Sequence, residues 1–440
     1  MSQDSSRYIP RLADVELREN LEAFGAVVIM GPKWCGKTTT AEQVAESAIY
    51  LQDEDHREEY EAALKIRPSI LLEGPKPRLL DEWQTAPVLW NAVRKSVDDT
   101  GREGLYIMTG SASYEKRESD HTGTGRIVEM RMHTMSLYES GASTGEVSLR
   151  SLFGPCAVSG QSRLSLEDIA EQVVRGGWPS SVGKSTSIAC RQVAGYCESI
   201  VNMRIRSFDR NGDLKAGEYR DPNKMRQILR SLARNESSTT PDTTILRNIA
   251  ERDSTSISIN TLRDYLNALR KVYLIDDTAA WSPSLRSKAT MRTSDTRHLC
   301  DPAVAAYFLG ASVKDLMSDL NTFGLLFESL VVRDLKVYAG ALGADVMHYR
   351  DSDDLEADAI VHMRGTGEWG AIEVKLGQGM VDQAARNLLR IKEKVRNEPS
   401  FLAVVTGTEY AYTREDGVHV IPIGCLRDRC RPRSIVHSSP

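Results

Sequence analysis

Hydrophobic residues in the first third of the chain fall into short unbroken runs, separated by stretches with helical spacing. The run FGAVVIM at 24–30 is rich in valine and isoleucine, the pattern of a strand buried on both faces. A glycine-rich polar segment follows at once, and TTTAEQVAESA then reads as a helix. AIYLQ predicts a second strand, and REEYEAALKI a helix that Pro68 interrupts or ends. PRLLDEW predicts a third strand with acids at its C-terminal end. VLWNAVRKSVD is helical, GLYIMTGSAS reads as a fourth strand and GRIVEMRMHTMS as a fifth. Strands alternating with helices predict a parallel sheet with helices on both faces.

The rhythm then changes. Residues 140–165 are rich in Gly and Ser and are expected to be a connection with little regular structure. Ser165 and Asp168 have capping-box spacing at the head of SLEDIAEQVVRGG, and GGWP at 176–179 predicts a turn. Three helical patterns follow between 190 and 280, the last running from SINTLRDYLNALRK into the strand-like LIDDTAAW. Three helices followed by a strand is the outline of a winged helix. From about 322 a second α/β pattern begins. The helix FGLLFESLVVRDLKVYAGAL leads to strands DVMHYRD, LEADAIVHM and WGAIEVKLG, then a helix and the strand SFLAVVTG. The fold class expected is therefore α/β, in three units: a parallel-sheet core over 1–160, a helical middle domain over 161–300 and a C-terminal α/β domain over 301–440.

Composition narrows the partners. At 440 residues the chain is too long for one core. A net charge of -5 leaves room for nucleic-acid binding only through a local patch. Seven cysteines, an odd number without a CxxC pair, read as reduced thiols and not as a disulfide or zinc framework. The N-terminus lacks a secretory apolar region and no apolar run is long enough to span a bilayer. The expectation is a cytoplasmic protein without a membrane partner.

The most specific motif is GPKWCGKTT. Gly31, Gly36, Lys37 and Thr38 fill the fixed positions of G-x-x-x-x-G-K-[ST]. Pro32, Lys33, Trp34 and Cys35 fill the variable ones, and Thr39 follows. A random chain of this length would match on the order of 1–2% of the time, and the strand before and helix after lower that further. Glycines let backbone N–H groups close on phosphate oxygens at a helix N-terminus. Lys37 would reach the β- and γ-phosphates of ATP, and the Thr38 hydroxyl would ligate Mg²⁺. Trp34 and Cys35 are expected to pack, their side chains turned from the phosphates. Asp81 would either ligate the metal directly or hold a water bound to it, and Glu82 is the group that polarises the attacking water. Thr109 or Ser111, at the end of the fourth strand, would contact the γ-phosphate or that water. Arg126 is a candidate arginine finger for a neighbouring subunit, against a plain surface arginine.

Together GPKWCGKTT, LLDEWQ, TGSAS and GRIVEMRMHTMSLYESG resemble bacterial and archaeal ATPases of the AAA superfamily. The resemblance extends through GGWP, YLNALRKVYLIDD and the FGLLFESLVVRDL to IEVKLG region, nearly the whole chain. It implies an AAA-type core that binds ATP, a winged-helix lid, a C-terminal domain similar to PD-(D/E)XK nucleases and a ring-like homo-oligomer.

Two further constellations bear on output. Residues 218–300 hold 14 Lys/Arg against 10 Asp/Glu, a local excess of four positive charges in an acidic chain. Arg263, Arg270 and Lys271, with Arg286, Lys288 and Arg292 in a wing-like loop, are candidate DNA phosphate contacts. The alternative is a lid that only packs on the core. In the C-terminal domain, period-two geometry puts Glu373 and Lys375 on one strand face. A hairpin would bring Asp358 beside them, and Glu328 on the preceding helix could complete the cluster. Asp358 and Glu373 would hold Mg²⁺ with Lys375 stabilising charge. No proline precedes the first acid, so an inactive scaffold is the alternative. The function classes in view are an ATP-driven, DNA-handling enzyme and an ATP-controlled signalling switch with protein partners. A small-molecule kinase fits less well, because it leaves two domains unexplained.

Overall fold

The computed structural model describes residues 8–113, 122–203, 220–253, 257–283 and 294–428. Helix α1 (Ala13–Ala23), which the hydrophobic pattern did not single out, precedes the core sheet. The sheet contains β1 (Ala26–Met30), β2 (Ser47–Tyr50), β3 (Arg78–Asp81), β4 (Tyr106–Gly110) and β5 (Ile127–Arg131), in the order β2-β3-β4-β1-β5. Every pairing is parallel. Helices α2 (Lys37–Glu42), α3 (Arg57–Ile66) and α4 (Val88–Thr100) connect the strands. The unbroken apolar run of β1 is explained by its two faces. Val27 and Ile29 join Leu17 of α1 in one core, while Ala26 and Val28 join Trp90 and Val93 of α4 in another. Because β4 separates β3 from β1, three strand ends meet at one rim: Met30, Asp81 and Gly110.

Residues 140–165 depart from the expected loose connection. They form β6 (Val147–Ser148) and β7 (Gly160–Gln161), which pair with strands more than two hundred residues away. Helices α5 (Leu166–Arg175), α6 (Thr186–Val201), α7 (Pro222–Arg234), α8 (Asp242–Asp253) and α9 (Ile259–Lys271) follow. Ser165 and Asp168 form the capping box at the start of α5. After α9 the chain doubles back through antiparallel bridges Ile275–Leu299 and Thr278–Thr296, with Ser238 bridged to Arg297. Helices α10 (Pro302–Leu309) and α11 (Val313–Ser318) fall inside the C-terminal unit expected from sequence. There α10 packs on α5, α6, α7 and α12 (Leu320–Leu342), and α11 on α5 and α12.

Helix α12 (Leu320–Leu342) opens the C-terminal domain. It is followed by β8 (Ala344–Arg350), β9 (Glu356–Met363), β10 (Trp369–Lys375), α13 (Val381–Lys394), β11 (Phe401–Thr406), β12 (Tyr410–Thr413), β13 (His419–Pro422) and β14 (Leu426–Arg427). The sheet order is β7-β12-β13-β11-β10-β9-β8. β8, β9 and β10 form an antiparallel meander, β10, β11 and β13 run parallel, and β12 is antiparallel to β13. Both edges are covered by chain from elsewhere. β7 covers β12, and on the far side Ala280 bridges His348 of β8. No helix among the described residues is long and apolar enough to cross a membrane.

One buried charge network fastens the three units. The Arg333 guanidinium of α12 bonds Asp334 at 2.7 Å and Asp301, the cap of α10, at 3.0 Å. Asp301 also accepts from the Thr134 hydroxyl at 2.7 Å and the Gly177 N–H at 3.0 Å. Asp334 accepts from the Leu137 N–H at 2.9 Å. Two buried carboxylates and one cation are tolerable because each carboxylate also receives neutral donors. Removing the cation leaves both acids buried and unpaired. Arg333→Ala should therefore lower unfolding free energy by about 3–5 kcal/mol, read from urea denaturation. A loss below about 1 kcal/mol would show the network is not what holds the units together.

Candidate functional site

The site is built on the rim where Met30, Asp81 and Gly110 end their strands. Met30 runs into the glycine-rich loop, whose shape depends on two close approaches. A Cβ at Gly31 would stand 2.1 Å from the Met132 carbonyl oxygen, so only glycine fits. Gly36 caps α2 with φ +103°, a backbone conformation that side chains disfavour. Lys37, 6% exposed, folds back into the loop and donates to the carbonyls of Gly31 and Pro32, both at 2.9 Å.

Thr38 at the start of α2 donates to Asp81 Oδ1 at 2.7 Å, and Thr109 of β4 donates to the same oxygen at 2.5 Å. Burial pushes the Asp81 carboxyl up, while these hydroxyls pull it back. Thr109 also accepts the Glu82 N–H at 3.2 Å. Glu82 itself has φ +53°, a left-handed conformation that costs about 1–2 kcal/mol for a non-glycine residue. Its carboxylate accepts from the Ser111 hydroxyl at 2.8 Å and from the Gln84 amide. Loop, acids and fourth-strand hydroxyls are thus one continuous hydrogen-bonded set.

Cys35 is fully buried, with its Sγ 3.8 Å from the Met132 carbonyl. Trp34 departs from the expected packing. It has φ +66°, is 61% exposed, and its ring stands 6.0 Å from that of Tyr196 on α6. Trp178 of the GGWP turn packs on the same Tyr196 at 4.9 Å and donates its indole N–H to the Lys33 carbonyl at 3.4 Å. Arg126 is not brought to this rim. It precedes β5, at the opposite end of the sheet, where it pairs with Asp98 of α4 at 2.7 Å.

Residues 23–141 match the family model of an AAA domain. Match and geometry together support an AAA-type, nucleotide-binding ATPase function for this unit. Residues 166–315 and 323–426 match two domains of unknown function, DUF8612 and DUF4143. No curated protein matches the chain. Among solved structures, the Walker-type ATPase PABY2304 of Pyrococcus abyssi aligns over 69% of this chain and 97% of its own. The identity is 14% and the TM-score 0.41.

The structure brings the C-terminal set together and pairs part of the basic set internally. Arg263 pairs with Asp242 at 3.5 Å and Arg270 with Asp277 at 2.8 Å, so part of the basic excess on α9 is spent internally. The Lys271 carbonyl accepts the Ser113 N–H at 2.7 Å, tying α9 to the loop after β4 of the AAA domain. Arg286, Lys288 and Arg292 lie outside the described residues. In the C-terminal sheet, Lys375 reaches Glu373 at 2.6 Å and Asp358 at 3.4 Å. Asp358 also accepts the Val374 N–H at 2.6 Å. Glu373 is 1% exposed, and one of its oxygens has no protein partner. Burial, then the Asp358 charge, push its carboxyl up to about 7. The same two causes raise Glu328 on α12 well above the usual range. Lys375, against the cost of burial, is pushed up by Asp358 and Glu373. Among the described residues, no three His, Cys, Asp or Glu side chains are arranged to hold a metal ion.

Several residues at the nucleotide site carried no sequence signal. Gln84 is two positions beyond Glu82, but a lone amide predicts nothing. Arg11 lies in a short N-terminal segment without a motif, yet it donates to the Cys35 carbonyl at 2.6 Å. Gly31 offers a direct check of the loop. Gly31→Ala should abolish nucleotide binding by calorimetry while circular dichroism still shows a folded chain, because the added methyl meets a fixed backbone carbonyl.

Proposed function

We propose that this chain is an ATPase whose nucleotide state is transmitted to nucleic-acid-handling middle and C-terminal domains. The observation that carries the ATPase reading is the shared Asp81 Oδ1, which receives the Thr38 and Thr109 hydroxyls at 2.7 and 2.5 Å. A hydroxyl and a carboxylate oxygen so placed are the hard oxygen donors that Mg²⁺ prefers. Bound Mg²⁺ would neutralise phosphate charge. Lys37 would exchange its two carbonyl partners for phosphate oxygens. Glu82, held at the end of β3, would orient the attacking water as general base. Thr109 would hold Asp81 and the Glu82 backbone in place.

The DNA-handling part rests on the middle domain. Helices α7, α8 and α9 and the bridges that return after them support a winged-helix arrangement, with α9 in the recognition position. The C-terminal meander, with Glu373, Lys375 and Asp358 gathered across β9 and β10, supports a PD-(D/E)XK-like scaffold. Arg126, paired at the far end of the sheet, could serve only a neighbouring subunit, which a ring would supply. A second reading, a nucleotide-controlled switch that binds proteins, is favoured by the internal pairing of Arg263 and Arg270.

ATP hydrolysis should be lost in Lys37→Ala, and Glu82→Gln should cut kcat by about 10² or more while ATP still binds. Steady-state phosphate release together with nucleotide titration checks both. Duplex or junction DNA should stimulate the wild-type rate at low salt. No stimulation by any nucleic acid, with assembly that follows nucleotide alone, decides for the second reading. Any DNA cleavage with Mg²⁺ or Mn²⁺ should vanish in Glu373→Ala. Cleavage that survives this substitution belongs elsewhere.

A further inference from the structure

We infer that Arg11 is a positioning residue for phosphate binding, setting the direction of a loop N–H from behind the loop. The inference rests on the nucleotide-site reading above and concerns a residue outside the motif.

The Arg11 guanidinium is buried, the residue being 5% exposed, and every edge is used. Its Nε donates to Glu139 at 3.0 Å, and its second terminal nitrogen donates to the His133 carbonyl at 3.0 Å. The remaining terminal nitrogen donates to the Cys35 carbonyl at 2.6 Å. Glu139 is fixed in turn by the N–H groups of Leu12 at 2.8 Å and Ser136 at 2.9 Å. The Arg11 backbone N–H is held by Asp14 at 2.9 Å, and Tyr8 bridges Asp14 at 2.5 Å to the Thr40 hydroxyl of α2 at 3.0 Å. A charge-assisted clamp therefore presses on the outside of the loop between Cys35 and Gly36.

The peptide joining those two residues is planar and trans, so its C=O and N–H point in opposite directions. Holding the Cys35 carbonyl toward Arg11 turns the Gly36 N–H away from it. Phosphate recognition by such a loop needs its N–H groups turned inward. Without a clamp this peptide is free to rotate, because Gly36 accepts either sign of φ. Arg11 removes that freedom before any nucleotide arrives, and its charge is cancelled by Glu139. Its contribution is direction, not potential.

The test titrates a fluorescent ATP analogue into the full chain as wild type, Lys37→Ala, Arg11→Ala, Arg11→Lys and Glu139→Gln. Thermal unfolding and amide exchange at Gly36 are followed in parallel. Wild type that does not bind, or Lys37→Ala that binds equally well, overturns the nucleotide-site reading itself. With that reading intact, folded Arg11→Lys should bind ATP about tenfold or more weakly, since one ammonium cannot serve Cys35, His133 and Glu139 together. ATP should protect the Gly36 amide from exchange less in the same protein than in wild type, and the loss of affinity should exceed what its Tm change explains. If Arg11→Ala does not fold, Arg11→Lys and Glu139→Gln carry the test. A folded Arg11 variant that binds ATP within about twofold of wild type, or whose Gly36 amide ATP protects as fully as in wild type, overturns the inference.

Discussion

The structure depends on a single guanidinium placed where water cannot reach it. Arg333 sits between Asp301 and Asp334, and through them holds Thr134, Leu137 and Gly177. Isolated ions would not be tolerated there. The charges are stable only as a complete set, and the set is complete only when the core, the middle domain and α12 are all in place. Gly177 makes this seam relevant to the nucleotide site. The next residue, Trp178, touches the loop at Lys33, so the same turn carries both the charged junction and a contact to the glycine-rich loop.

A second junction runs beside it. Asp276, just after α9, receives Arg131 at 3.0 Å and His133 at 3.2 Å from the end of β5, and Lys336 of α12 at 3.3 Å. Against the cost of burial, Lys336, Arg131 and His133 hold this carboxyl well below its usual range. With the Ser113 to Lys271 bond, it gives α9 two attachments to the rim of the AAA sheet. A shift of the β4 loop or the β5 end would therefore be felt by α9 directly, without passing through a flexible linker.

The hydrophobic pattern disclosed the elements whose burial is continuous or strictly periodic. The two-faced burial of β1, the loop and the acids of β3 are all local in sequence, so they were legible. Glu373 and Lys375 share a face because the strand period requires it. What stayed hidden was bonding between distant segments. β6 and β7 are two residues each and gain their hydrogen bonds from β14 and β12, so a Gly/Ser-rich composition conceals them. Arg11 becomes meaningful only once Glu139 and Cys35 are folded around it. The exposure of Trp34 was not legible, because an aromatic residue beside a buried strand normally packs. The sequence also left open that α10 and α11 cover both the middle helices and α12, because helices carry no mark of which neighbour they will cover.

The two covered edges of the C-terminal sheet have a consequence for how such a protein can be divided. A sheet edge is a row of unpaired N–H and C=O groups that recruits other strands. Here β7 closes one edge from upstream of the middle domain, and the Ala280 segment closes the other from beyond α9. Cutting the chain at the apparent domain boundary would strip both covers at once. The modules are thus interleaved like the pages of a folded signature: they can be told apart by eye, but not lifted out singly.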